Sequence, residues 1–107
     1  MENVLEVNDD NFQEEVLDSK LPVLVDFWAP WCGYCTKLTP VFHELAREMS
    51  ERVKCVKINV DENRGIAQTH NVMSLPTMLL FKNGEQVEKM MGFMPKDTIS
   101  GKIKPFL

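Results

Sequence analysis

Cysteine is scarce in this chain: three among 107 residues, at positions 32, 35 and 55. So low and odd a number argues against a secreted scaffold stapled by disulfides, and in a reducing compartment a close pair is more often catalytic or metal-binding than structural. Positive charge is never concentrated. With a net charge of -4 and no Lys/Arg block, nucleic acid and anionic membrane surfaces are not expected partners. Long apolar runs are missing too; stretches such as Met78 to Phe81 fall far short of the roughly 20 residues that span a bilayer. The start, MENVLEVNDD, lacks the basic and apolar segments of a secretory signal, so the expected location is cytoplasmic. Repeats, linkers and low-complexity tracts are likewise not found. What is present is a hydrophobic content of 44% with 26% charged residues, enough for one domain over residues 1–107 with a real core.

The hydrophobic pattern alternates between strand and helix. Val4 to Val7 reads as a short strand. Asn8, Asp9 and Asp10 offer N-cap side chains, Asp10 with Gln13 approximates a capping box, and Phe12, Val16 and Leu17 give the first helix an apolar face. Val23 to Trp28 is nearly continuous in apolar residues, as in a strand buried on both faces, with Trp28 expected in the core. Leu38, Val41, Phe42, Leu45, Ala46 and Met49 then recur at the steps of an amphipathic helix that Pro40 should kink. Val53 to Val60 predicts a third strand and Asp61 to Gln68 a short helix. Thr77 to Phe81 and Val87 to Met91 flank the turn signal Asn83-Gly84. A final helix, weakened by Gly101, runs from Lys96 and ends near Pro105. The order β-α-β-α-β-α-β-β-α predicts an α/β fold with a mixed five-stranded central sheet, parallel early and antiparallel late, flanked by about four helices.

Within this frame lies Trp31-Cys32-Gly33-Tyr34-Cys35. The stripe of the long helix extends back from Leu38 to Cys35, which should therefore sit at the buried edge. Cys32 falls at the helix start, where unpaired N–H groups and the positive dipole end favour a thiolate. One accessible, activated thiol beside one shielded thiol suits thiol–disulfide exchange: the first attacks, the second resolves. Zinc is the rival reading, but a closed site takes four ligands, usually as two spaced pairs, and Cys55, His43 and His70 supply no second pair. A purely structural disulfide is weakly motivated, because so short a loop has little closure entropy to remove.

VDFWAPWCGYC, the helix containing Pro40, VKINVDEN, LPT and FKNGE together resemble the thioredoxin family, over roughly residues 12–106. The resemblance implies the thioredoxin fold and a redox-active Cys32–Cys35 disulfide. It also implies an enzyme that reduces protein disulfides, needs no other cofactor and is recharged by a thioredoxin reductase, nicotinamide- or ferredoxin-linked. A monomer is expected. By the same resemblance Asp26 is the buried carboxylate that exchanges a proton with Cys35, and Lys57 is its partner. Trp31, Gly33 and Tyr34 border the docking surface, and the backbone of Leu75 pairs with an extended substrate segment. Pro76 is cis and faces the disulfide, while Gly92 lets a partner chain approach.

Tyr34 departs from the Gly-Pro that the family usually encloses between its cysteines. It restores an N–H that proline lacks, which should lie near the Cys32 sulfur and make the disulfide more oxidising. A disulfide oxidant or isomerase is thus one competing reading; a binding module with incidental thiols is another. Ser74, before the Leu-Pro step, also departs from the pattern. Met73, Met78, Met90, Met91 and Met94 read as core and edge filler, a few of them forming an adaptable rim. His43 and His70 read as surface residues without a role, and Cys55 as a small apolar strand residue.

Overall fold

A computed structural model of the protein describes residues 4–107. Five strands form one sheet in the order β1-β3-β2-β4-β5: β1 Val4–Glu6, β2 Val23–Trp28, β3 Lys54–Asn59, β4 Thr77–Lys82 and β5 Glu85–Met91. β3 pairs in parallel with both β1 and β2, whereas β4 runs antiparallel to β2 and to β5. Three α-helices lie between or after them: α1 Gly33–Glu48, α2 Arg64–Thr69 and α3 Lys96–Ile103, with a single helical turn at Gln13–Leu17 and a closing 3-10 turn at Lys104–Phe106. This is the thioredoxin fold expected from the sequence.

Side chains alternate across the sheet, so each central strand feeds two cores. Leu24, Cys55, Met78, Leu80 and Met90 pack against Leu38, Phe42 and Leu45 of α1 and Ile99 and Ile103 of α3. Val23, Val25, Phe27, Val56, Ile58, Leu79 and Phe81 face the opposite way, onto Phe12, Val16 and Ile66. Asp26 and Trp28 share the alternation of Leu24 and therefore face α1, the helix that carries the cysteines. α1 continues through Pro40, which is exposed and has no N–H to give to the helix ladder.

The expected first helix contracts to one turn of π type, closed by the Asp18 N–H donating to the Gln13 carbonyl at 2.9 Å. The Asp10–Gln13 capping box does not form. Asn8 Oδ1 instead accepts from the N–H groups of Asp10 and Asn11, at 2.9 and 3.0 Å, and these side-chain bonds compete with helix formation. The helix expected from Asp61 starts later for a similar reason. Asn59 Oδ1 accepts from the Asp61 N–H, and the buried Asn63 donates to the Asn59 carbonyl, so this stretch is bound as a turn. Asp9 then reaches across the chain to accept from the Ile66 N–H at the start of α2, a bond spanning 57 positions that no local capping pattern shows.

Asn83 and Gly84 form the β4–β5 turn, with φ of 54° and 80°. Positive φ at both central residues is the requirement of a type I′ hairpin, which Asn-Gly meets. A Cβ at Gly84 would also lie 3.2 Å from the Leu17 carbonyl oxygen. Gly84→Ala should therefore lower stability by about 1–2 kcal/mol from the left-handed backbone alone, read as a fall in the urea midpoint with unchanged slope.

Candidate active site

β2 ends at Trp28 and the chain crosses Ala29 to Trp31 to reach α1, which begins at Gly33 with Cys32 as its N-cap. An N-cap side chain accepts from the N–H of the second or third helical residue. Here the Cys32 Sγ accepts from the Cys35 N–H at 3.1 Å. The sequence pointed to the Tyr34 N–H; the third helical position provides the donor instead. Cys32 and Cys35 form a disulfide, with Cα atoms 5.2 Å apart.

The two sulfurs differ less in exposure than the sequence suggested. Cys35 is 1% exposed and Cys32 only 8%, so Cys32 is buried rather than open. What is open is its frame. Trp31 is 71% exposed and Tyr34 64%, while a Cβ at Gly33 would meet nothing within 4 Å. Trp31 is oriented by its Nε1, which donates to Asp61 Oδ2 at 3.0 Å. Lys37 stands over the rings of Tyr34 and Phe93, 6.0 and 5.8 Å from their centroids.

Trp31, which precedes Cys32, also lines a cleft of about 270 Å³ with Val60, Val72, Met73, Ser74 and Leu75. The cleft brings two of the expected docking residues, Trp31 and Leu75, to one surface with Met73 and Ser74, and adds Val60 and Val72. Val60 and Val72 carried no local signal. Of the methionines expected as core filler or as an adaptable rim, Met73 is 94% exposed at the rim, whereas Met78 and Met90 are core. The Leu75–Pro76 peptide is cis and Pro76 is buried. The Gly92 N–H donates to the Pro76 carbonyl at 2.8 Å, which places Gly92 next to this step; its φ is 88° and a Cβ there would meet nothing within 4 Å.

On the inner side, Asp26 is fully buried, and among the described residues neither carboxyl oxygen has a hydrogen-bond partner. Burial pushes its carboxyl up to about 7, against an opposing pull from Lys57 and a smaller push from Glu6. Lys57, partly buried, holds its Nζ 4.7 Å from the centroid of the Trp28 ring, and Trp28 itself is partly rather than wholly buried. Neither histidine is a plain surface residue: both are partly buried, and the His70 ring packs on Phe12 and Phe81 at 5.2 and 5.4 Å. Among the described residues no group of three or more His, Cys, Asp or Glu side chains could hold a metal ion, and no helix is long and apolar enough to cross a membrane.

The thioredoxin family model matches residues 3–105. The chain belongs to the thioredoxin family. It is 46% identical to thioredoxin 1 of Synechococcus elongatus over 101 residues, covering 94% of each chain. It is 44% identical to thioredoxin 1 of Nostoc sp. over the full length of both. Against the chloroplastic M-type thioredoxin of Spinacia oleracea the identity is 48% over 107 residues, and the chain spans 59% of that protein's length. A thioredoxin with its Cys-x-x-Cys pair at disulfide distance is a thiol–disulfide oxidoreductase, of the protein-disulfide reductase type.

The buried carboxyl makes stability depend on pH. Unfolded, Asp26 titrates near 3.8; folded, near 7. Between these values the native state keeps a proton that the unfolded chain has released, so Asp26 lowers stability as pH rises through that window and levels off above it. Asp26→Asn should therefore be more stable than wild type at about pH 8, by on the order of 2–4 kcal/mol. The gain should shrink toward zero near pH 4 in urea titrations.

Proposed function

We propose that Cys32 is the nucleophile, Cys35 the resolving thiol and Asp26 the group that moves the proton between steps. The supporting observation is the Cys35 N–H aimed at Cys32 Sγ, with the sulfur at the N-cap of a sixteen-residue helix. In the reduced protein that N–H and the dipole stabilise a Cys32 thiolate. The thiolate attacks one sulfur of a target disulfide, the target S–S bond breaks, and the leaving sulfur departs as a thiolate that takes up a proton. A mixed disulfide joins Cys32 to the target. Cys35 then gives its proton to the Asp26 carboxylate and attacks Cys32 Sγ, which releases the target's second thiolate and closes Cys32–Cys35. An acid titrating near 7 is well matched to accept and return a proton near neutral pH. Lys57 acts on Asp26 through charge and not by direct contact.

Substrates are protein disulfides. An extended segment lies along Leu75 and Pro76 with its cysteine toward Cys32, Gly92 leaves room for its backbone, and an apolar residue enters the cleft between Trp31 and Met73. Gly33 and Tyr34 border the same surface. A thioredoxin reductase returns two electrons and two protons to the disulfide, and the dithiol pair is the only redox group used. The setting is a reducing aqueous compartment, in our reading the cytoplasm, which suits a third thiol left unpaired at Cys55.

Insulin reduction driven by dithiothreitol tests the thiol roles. Cys32→Ser should lose activity entirely, while Cys35→Ser should accumulate covalent complexes with the target that dithiothreitol releases. Equal activity in both variants and wild type would end the assignment. The cleft is tested separately: Met73→Asp should raise KM for insulin about fivefold with kcat within about twofold, the pattern of lost ground-state binding.

A further inference from the structure

The pairing register lines up three charged residues that lie far apart in sequence. Glu6 on β1 is opposite Lys57 on β3, and Lys57 is opposite Asp26 on β2. Residues paired in register on neighbouring strands project to the same face, so Glu6, Lys57 and Asp26 form one row running from the exposed edge of the sheet to its buried centre. Lys57 holds the middle. Among the described ion pairs it is committed to neither carboxylate, its Nζ resting on the Trp28 ring at 4.7 Å. A cation between two carboxylates, bound tightly to neither, is available to each in proportion to what the other leaves.

We propose that Glu6 is a positioning residue for the exchange reaction: from the sheet edge it competes with Asp26 for the Lys57 ammonium and so governs how readily the buried carboxyl gives up its proton. The kinetic part of this rests on the Asp26 role given above; the electrostatic part does not. The groups facing Asp26 are Lys57, which favours its charged form, and Glu6, which opposes it, with the buried thiol of Cys55 also within its field and, on α1, the buried Cys35, a thiol in the reduced protein. Glu6, though exposed at the edge, is itself held above its ordinary value by partial desolvation, with Lys57 pulling down, Glu62 pushing up and His43 pulling down. Glu6 and Lys57 act on Asp26 in opposite senses. Removing the Glu6 charge therefore acts twice in one direction: it deletes a like charge and leaves the ammonium undivided.

The test is the titration of the Asp26 carboxyl carbon by NMR in the reduced protein. Glu6→Gln should move its midpoint to lower pH by about half a unit, a roughly threefold change in the ionised-to-neutral ratio at neutral pH. Glu6→Asp should stay near wild type. In a Lys57→Met background the Glu6→Gln displacement should fall to less than half, because the shared cation is gone. A midpoint unmoved in Glu6→Gln, or moved upward, overturns the proposal; so does an undiminished displacement in Lys57→Met. Resolution of the mixed disulfide, followed against pH, should shift with the carboxyl midpoint. If Asp26→Asn leaves that profile unchanged, the proton-transfer role of Asp26 fails, while the NMR midpoints still decide whether Glu6 controls it.

Discussion

The chemistry of this thioredoxin depends on where α1 begins. A helix start presents N–H groups with no partner inside the helix, and usually a Ser, Thr, Asp or Asn oxygen answers them. Here the group in that position is a sulfur, Cys32, and the answering N–H belongs to the other cysteine. Folding the helix and setting the environment of the Cys32 sulfur are thus the same event. The helix is held in place by Leu38, Phe42 and Leu45, buried against the sheet and α3, so apolar packing fixes the direction in which the helix end points. Loosening that packing would disturb the sulfur without touching it.

Asp26 stands in tension with this stability. The alternation that sends Leu24 and Met78 into the core under α1 sends Asp26 there as well, without a hydrogen-bond partner among the described residues. An apolar side chain at that point would suit the core better. A fold that keeps a carboxyl where physical chemistry disfavours it generally does so at a functional site. The raised affinity of Asp26 for its proton is both the penalty on stability near neutral pH and the property that suits it to proton exchange.

Much of this architecture was legible because it is periodic. The stripe from Leu38 to Met49 predicts α1 and, extended backward, the buried side of Cys35. The β-branched runs and Asn83-Gly84 predict the strands and the hairpin. What was not legible involves side chains meeting across the sequence. Asn8 accepts from the N–H groups of Asp10 and Asn11 where Asp10 was expected to cap a helix, and Asp9 caps α2 from 57 positions away. Trp31 is oriented by Asp61, thirty positions later. The cleft brings Trp31 and Val60 together with the Val72–Leu75 stretch, and the charge row through Glu6 exists only because β3 lies between β1 and β2. The burial of Cys32 was missed for a different reason: a sulfur tied back to its own helix is covered by that helix even when its neighbours are open.

Cys55 is sealed in the same core, 2% exposed, its thiol pushed up to about 12 chiefly by burial. In the native fold it is neither ionised nor reachable, so it cannot scramble the exchange or trap a partner, and each turnover carries one electron pair through one couple. A chain with three thiols behaves as though it had two. The silent one keeps a separate record: it becomes alkylatable only when β3 is laid bare, so its labelling rate counts how often the domain opens, independently of the redox state at the helix tip.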